Sequence, residues 1–211
     1  MAAHSRYHVS DNAAGVNKGI LKNKLGIRSK KKLDDAEPLL LADTYSHFFA
    51  LLKQGKLTFD LSLLFSIHRY FFTTLYDWAG KLRTVDISKD GMLFAPVKYL
   101  DRSVKEFELI LRKKLPRNAD TKDVMAQKLA LIHNEFNVIH PFREGNGRTI
   151  RLFLDLLVGS LDYNPIDWSK QPTTDYMRAC IEGASGKNGA MKKIIKKGLT
   201  KAGWYIAKYI T

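Results

Sequence analysis

A mainly α-helical fold carrying one short β-hairpin is what the sequence predicts, and three observations carry the prediction. Apolar residues recur at spacings of three and four through most of the chain. One segment, 83–96, changes to alternation and contains the tight-turn dipeptide Asp90-Gly91. A chain of 211 residues, 45% of them hydrophobic, can bury one sizeable core and leaves little for a second domain.

Residues 1–34 are rich in Gly, Asn, Ser and Lys and read as a basic N-terminal arm. The core is expected over 35–195. It opens with the stripe Leu40, Leu41, Tyr45, Phe48, Phe49 and Leu52, which stops near Gly55. A second helix over 60–76 presents Leu64, Ile67, Phe71 and Leu75 on one face. In 83–96, Val85 and Ile87 alternate with Thr84, Asp86 and Ser88, and residues 92–95 return as a second strand. A lone hairpin is not stable in water, so it must lie against the helices. Further helices are expected over 97–115, 121–139, 147–159 and 173–182. In the second of these Met125, Leu129, Ile132, Phe136 and Ile139 form a continuous seam for burial. Residues 196–211 read as a basic C-terminal tail.

Thirty-five Lys and Arg against twenty-one Asp and Glu give a net charge of +14, which predicts attraction to something anionic. The excess concentrates near the two ends, where solvated basic faces account for it. The single cysteine, Cys180, rules out an intrachain disulfide and a multi-thiolate zinc site, and fits a reducing cytosol. The first twenty residues hold His4, Arg6, His8 and Asp11 and no continuous apolar run, unlike a secretory leader. The most apolar stretch, 59–78, is interrupted by Asp60, His68, Arg69 and Asp77, so no membrane span is expected.

Chemistry concentrates in His140-Pro141-Phe142-Arg143-Glu144-Gly145-Asn146-Gly147-Arg148-Thr149-Ile150-Arg151, between two apolar helices. Pro141 biases His140 away from helical geometry, leaving the imidazole at the mouth of a loop. Gly145 and Gly147 permit backbone conformations that other residues resist and let a ligand approach the N–H groups. The loop feeds a helix N-terminus, where unpaired N–H groups favour a phosphate. Arg148 and Arg151, three apart, can address one anion. An ordinary helix-capping loop with surface charges is the bland alternative, and it does not explain a histidine, a carboxylate, two glycines and two arginines within twelve residues. Gly183-Ala184-Ser185-Gly186-Lys187-Asn188 lacks the first Gly and the final Ser or Thr of a P-loop. His133 and His140 lack the companions of a zinc hydrolase.

These twelve residues match every defined position of H-P-F-x-[D/E]-G-N-G-R-x-x-R, so the chain resembles the Fic (filamentation induced by cAMP) family. The resemblance extends over Tyr76-Asp77-Trp78-Ala79-Gly80-Lys81 and the hairpin. It implies a Fic-type helical bundle with a β-hairpin flap, and transfer of AMP from ATP to a Tyr, Thr or Ser hydroxyl of a target protein. By the same resemblance His140 is the general base and Glu144 holds Mg²⁺ on the triphosphate. Gly145, Asn146, Gly147, Arg148 and Arg151 bind the phosphates, and Phe142 anchors the loop in the core. Asn188 is a base-pocket candidate, and Val85, Asp86, Ile87 and Ser88 form the flap edge that pairs with the target.

Family members that transfer phosphate carry Ala and Lys where Gly145 and Gly147 stand, so AMP is favoured; other relatives transfer UMP or phosphocholine. Many members carry an S/T-x-x-x-E-G/N helix whose Glu blocks the second signature arginine, here Arg151. No Ser or Thr of this chain has Glu four residues later. The resemblance therefore implies a toxin or effector restrained by a separate antitoxin, or an unrestrained enzyme. It offers a DNA topoisomerase subunit as one target. The rival readings are transfer of a different nucleotide moiety, a catalytically silent scaffold and a basic nucleic-acid binder; direct nucleic-acid binding is not expected.

Overall fold

The computed structural model describes residues 8–9, 16–17, 20–89 and 92–202. Three short strands come first, β1 (His8–Val9), β2 (Val16–Asn17) and β3 (Ile20–Leu21), followed by α1 (Lys30–Lys53) and α2 (Leu61–Phe72). The hairpin is β4 (Ile87–Lys89) and β5 (Met92–Leu93); the turn at Asp90-Gly91 lies outside the described residues. Then come α3 (Leu100–Lys114), α4 (Lys122–Ile139), α5 (Asn146–Gly159), α6 (Thr173–Ala184) and α7 (Gly189–Gly198). Among the described residues no helix is long and apolar enough to cross a membrane.

The starts of three helices are set by side-chain caps, which satisfy N–H groups that have no acceptor within the helix. Ser29 accepts from the Lys32 N–H, Asp60 from Leu63 at 3.1 Å and Thr121 from Val124 at 3.3 Å. α4 is the central element, packed against α3, α5, α6 and α7, while α1 and α2 close over α5. Its expected seam is buried throughout, from Met125 at 1% exposure to Ile139 at 7%. Each such side chain contributes about 1.5–3 kcal/mol on leaving water, an upper bound because the unfolded chain already buries some surface.

Four boundaries differ from the sequence expectation. α1 begins at Lys30 because Ser29 caps it, and residues ahead of it are also folded. The Lys24 N–H bonds the Leu75 carbonyl at 2.8 Å, and Ile20, Leu21 and Ile27 pack on the cluster around Leu33, Phe71 and Leu75. The rest of the expected arm lies largely outside the described residues. α2 stops at Phe72 and its chain turns, letting Tyr76 stack on Trp78 at 4.3 Å. The 97–115 helix opens with a 3₁₀ turn at Val97–Tyr99. α7 is not among the expected helices; it runs on past 195 into the expected basic tail, and Met191, Ile194 and Ile195 are buried against α4 and α6. Leu199 is buried beyond it, and residues 203–211 of the expected tail lie outside the described residues.

The hairpin is shorter than 83–96 suggested. Thr84 and Val85 bend, Asp86 accepts a hydrogen bond from the Val97 N–H at 2.7 Å, and pairing begins at Ile87. Beyond β5 the Ala95 N–H bonds the Val138 carbonyl at 3.1 Å, which lays the hairpin on the C-terminal end of α4. β4 is the middle strand of a three-stranded antiparallel sheet ordered β1-β4-β5.

Candidate active site

α4 ends where Pro141 requires it to. His140 takes left-handed geometry (φ 49°, ψ 60°) and its N–H bonds the Phe136 carbonyl at 2.9 Å, closing the last turn. The ring is buried at 4% exposure and stacks on Phe94 of the hairpin at 3.7 Å. Nδ1 lies 2.9 Å from the Asn137 carbonyl, which can only accept, so the proton sits on Nδ1 and the lone pair on Nε2. Burial, reinforced by the charges of Arg83 and Lys89, pushes the imidazole down to about 3 despite the Asn137 bond. His140 is therefore neutral at pH 7 and offers Nε2 as a proton acceptor.

Phe142 is fully buried, edge-on to Phe65 at 5.1 Å, and anchors the loop as expected. Gly145 caps α5 with φ 78°, and a Cβ there would stand 2.1 Å from Cε2 of Phe72, so only glycine fits. Gly147 differs from the expectation that both glycines serve unusual backbone geometry. It has ordinary helical φ, and a Cβ there would meet nothing within 4 Å, so it leaves open space over the helix start. The N–H groups of Asn146 and Gly147 occupy the first two helical positions and have no intrahelical acceptor.

Asn146 has a different contact from the one expected. Its Oδ1 accepts from the Phe142 N–H and its Nδ2 donates to the Phe142 carbonyl, both at 2.8 Å, so its amide closes the loop on itself. Glu144 is buried at 5% exposure, and its Oε1 accepts from the Gly145 N–H at 2.9 Å and from Arg148 at 3.3 Å. Arg148 also donates to Glu37 of α1 at 2.6 Å and lies over Phe71 and Phe72. Arg151 is held by its Nε bond to the Gly147 carbonyl at 3.1 Å and lies over Tyr176, and no described carboxylate comes within ion-pair distance of it. Both arginines line a cavity of about 370 Å³ with Pro38, Leu41, Ala42, Tyr45 and Trp168.

A family model described as Fic/DOC family matches residues 58–158. The relative y4lH of Sinorhizobium fredii is 33% identical over 79% of this chain and 84% of its own length. The chain belongs to the Fic/DOC family. Another relative, the protein adenylyltransferase VbhT of Bartonella schoenbuchensis, is 34% identical over 87% of this chain, which spans only 38% of VbhT. Among solved structures, the N-terminal Fic domain of a VirB-translocated effector of Bartonella quintana, with bound ADP, superposes with a TM-score of 0.73 at 25% identity, covering 95% of this chain and 97% of that one.

Fic/DOC membership sets the expected roles of Asn188 and the flap beside their geometry. Asn188 precedes α7, and its Oδ1 accepts from Nδ2 of Asn134 at 2.7 Å. The Asn134 Oδ1 accepts from Nδ1 of His133 at 3.1 Å, and Nε2 of His133 accepts from the Tyr176 hydroxyl at 2.8 Å. Asn188 thus belongs to a polar chain behind Arg151 and is not among the residues lining the cavity. Of the flap residues, Ile87 is buried, Val85 packs beside it, Asp86 is exposed, and Ser88 pairs with both β1 and β5.

Three residues that hold this Fic/DOC loop were not singled out from the sequence. Arg83, with its side chain fully buried, donates to the carbonyls of His140 (2.8 Å), Val85 (2.8 Å), Ile139 (3.3 Å) and Ala95, and so pins the hairpin to the histidine's own backbone. His68 accepts from the Gly80 N–H at 2.8 Å on Nδ1, which leaves Nε2–H to donate to the Glu144 carbonyl at 3.0 Å; its ring stacks on Phe142 at 3.8 Å. Glu37 holds Arg148. None carried a signal, because their partners are distant in sequence and each stands alone in its own helix or turn.

Proposed function

We propose that this chain is a protein adenylyltransferase that moves AMP from ATP to the hydroxyl of a Tyr, Thr or Ser on a target protein. The observation that carries the reading is His140, kept neutral with its Nε2 lone pair beside a loop whose helix start presents two unpaired N–H groups. The relative VbhT is a protein adenylyltransferase by name, which supports the same reading here. The target hydroxyl gives its proton to Nε2 of His140 while its oxygen attacks the α-phosphorus of ATP. The bond from that phosphorus to the bridging oxygen breaks, and pyrophosphate leaves with its charge stabilised by Arg151 and the N–H groups of Asn146 and Gly147. Asn146 acts mainly by holding the loop closed, and Arg148 by bringing its charge while tied to Glu37 and Glu144.

Glu144, the buried carboxylate of the loop, would be the protein ligand of a Mg²⁺ held mainly by the triphosphate, and the ion would offset phosphate charge.

Arg151, without a carboxylate partner among the described residues, is where an antitoxin would place an inhibitory glutamate. The partners proposed are thus a target protein, with a DNA topoisomerase subunit as one candidate, and a small antitoxin. A reducing bacterial cytosol, or a host cytosol after export, suits the buried free thiol of Cys180.

The test is purified chain with Mg²⁺ and ATP labelled at the α- or the γ-phosphate in bacterial lysate, beside His140→Ala. Label on protein from α alone, lost in the variant, is expected. Label from γ would mean phosphate transfer, and no label from either would leave transfer of a different nucleotide moiety, or the scaffold or nucleic-acid readings.

A further inference from the structure

β4 is the strand to which the target is expected to add, and it has two edges. β5 takes one through Ser88↔Leu93 and Lys89↔Met92. β1 takes the other through His8↔Ser88 and Val9↔Ile87, antiparallel. The N-terminal strand therefore pairs with two of the four flap residues, Ile87 and Ser88, that an incoming extended segment would use. An edge accepts one strand at a time, because each backbone N–H and C=O on it serves one partner.

The hairpin's position makes this edge consequential. Phe94, whose N–H bonds the Ile87 carbonyl at 3.5 Å, stacks on the His140 ring, and Arg83 ties both ends of the hairpin to the carbonyls of Ile139 and His140. A chain paired with β4 is thus carried past the histidine by a rigidly mounted support.

We propose that the N-terminal strand β1 is an intrachain occupant of the flap edge, which a target segment must displace before it can pair beside His140. This rests on the reading of Val85, Asp86, Ile87 and Ser88 as the target-pairing edge. Two properties suit β1 to the part. It is two residues long, too short to be stable except by pairing, so it can leave. It is also tethered closely, because only residues 10–15 separate it from β2, which pairs with β3, whose Ile20 and Leu21 pack on the core. A short tether sets an effective concentration on the order of mM. Weak backbone pairing then suffices to keep the edge covered against dilute chains and yields to a target that brings side-chain contacts as well. The apparent affinity of a target falls by the fraction of time the edge is open.

The test uses the full chain and its His8→Pro/Val9→Pro form, in which β1 loses its N–H donors and its ladder without altering the core. Amide exchange at Ser88, whose main-chain groups face β1 because those of Ile87 and Lys89 face β5, is expected to speed up in the variant. A synthetic peptide of residues 5–12 is expected to bind the variant, restoring that protection, and not to bind the parent chain. In the α-labelled ATP assay, the lysate concentration giving half-maximal labelling is expected to drop about 3–10-fold with the maximal rate unchanged. Equal exchange in the two chains, or equal peptide binding, overturns the occupancy. An unchanged half-maximal concentration despite faster exchange overturns the competition and assigns incoming segments to the outer edge of β5. If neither chain labels any protein, adenylyl transfer has failed as a reading, and the exchange and peptide measurements still decide whether β1 covers the edge.

Discussion

Replacing Arg83 with Met tests whether the hairpin and the base are mounted by one side chain. Methionine keeps most of the volume and removes every donor. Four carbonyls lose a charge-assisted bond, at Val85, Ala95, Ile139 and His140. Those at Val85 and Ala95 are only partly buried and can turn to water, whereas those at Ile139 and His140 stay enclosed and unsatisfied at about 1–3 kcal/mol each. Against this stands relief from burying a guanidinium, whose ionisation burial already disfavours. The balance is a loss of about 2–4 kcal/mol. For a domain of this size that lowers the thermal midpoint by roughly 4–16 °C. At a temperature where the variant is fully folded, label transfer should still fall by about 100-fold, the scale of effect expected when a reacting group moves by an ångström. Arg83→Lys should recover part of the stability and little of the activity, since one ammonium cannot span four carbonyls. A midpoint within 2 °C of the parent by calorimetry, together with undiminished labelling, would refute the account.

Other substitutions separate roles that the loop combines. Gly145→Ala forces a left-handed alanine against Phe72 and should cost about 2–4 kcal/mol in urea unfolding, whereas Gly147→Ala should fold normally yet weaken ATP binding, because its methyl enters the space over the helix start. Glu37→Ala and Arg148→Ala should each destabilise the chain, and the double variant should fall short of their sum by about 1–3 kcal/mol, as expected for residues in direct contact. Stability should drop as pH falls from 6.5 toward 4. His68 and His140, held at about 3, and His133, at about 4, are neutral when folded but take up protons near 6.5 when unfolded, so their contribution is complete above 6.5 and is lost as pH falls toward their folded values. Asp155, pushed up to about 6 mainly by burial, acts in the opposite sense: its contribution is complete below about 3.8 and is lost as pH rises through 6. The net uptake on unfolding is then about two protons, or about 2.7 kcal/mol per pH unit at the steepest, and Asp155→Asn should steepen the fall of the urea midpoint.

The sequence made the α4 seam and the twelve-residue loop legible because both are local. Spacings of three and four place Met125 to Ile139 on one face whatever else the chain does, and Pro141 ends the helix at His140 in any context. α7 carried the same kind of signal at Met191, Ile194 and Ile195, obscured by the lysines of its outer face, two of which are engaged with Asp123. The second helix starts at Asp60 as expected, whereas the cap at Ser29 lies ahead of the expected start at 35.

What could not be read is how the loop is held, because every support arrives from far along the chain. His68 reaches Glu144 across 76 positions, Arg83 reaches His140 across 57, and Glu37 reaches Arg148 across 111. Two of these, His68 and Arg83, act on backbone carbonyls of the loop, atoms that every residue possesses and no motif records. Asn146 does the same at close range to Phe142, which is why a residue expected to face phosphate is turned inward. Dependence on main-chain atoms also explains how the loop can keep fixed geometry while two of its residues are glycine. Its shape comes from His68 of α2 and Arg83 ahead of the hairpin gripping its peptide groups, with Glu37 of α1 holding the Arg148 side chain. The side chain proposed as its base, His140, needs only to choose a tautomer, which the Asn137 carbonyl decides. A chain with the full motif but without Arg83 or His68 would therefore read as an enzyme and lack the mounting for its base.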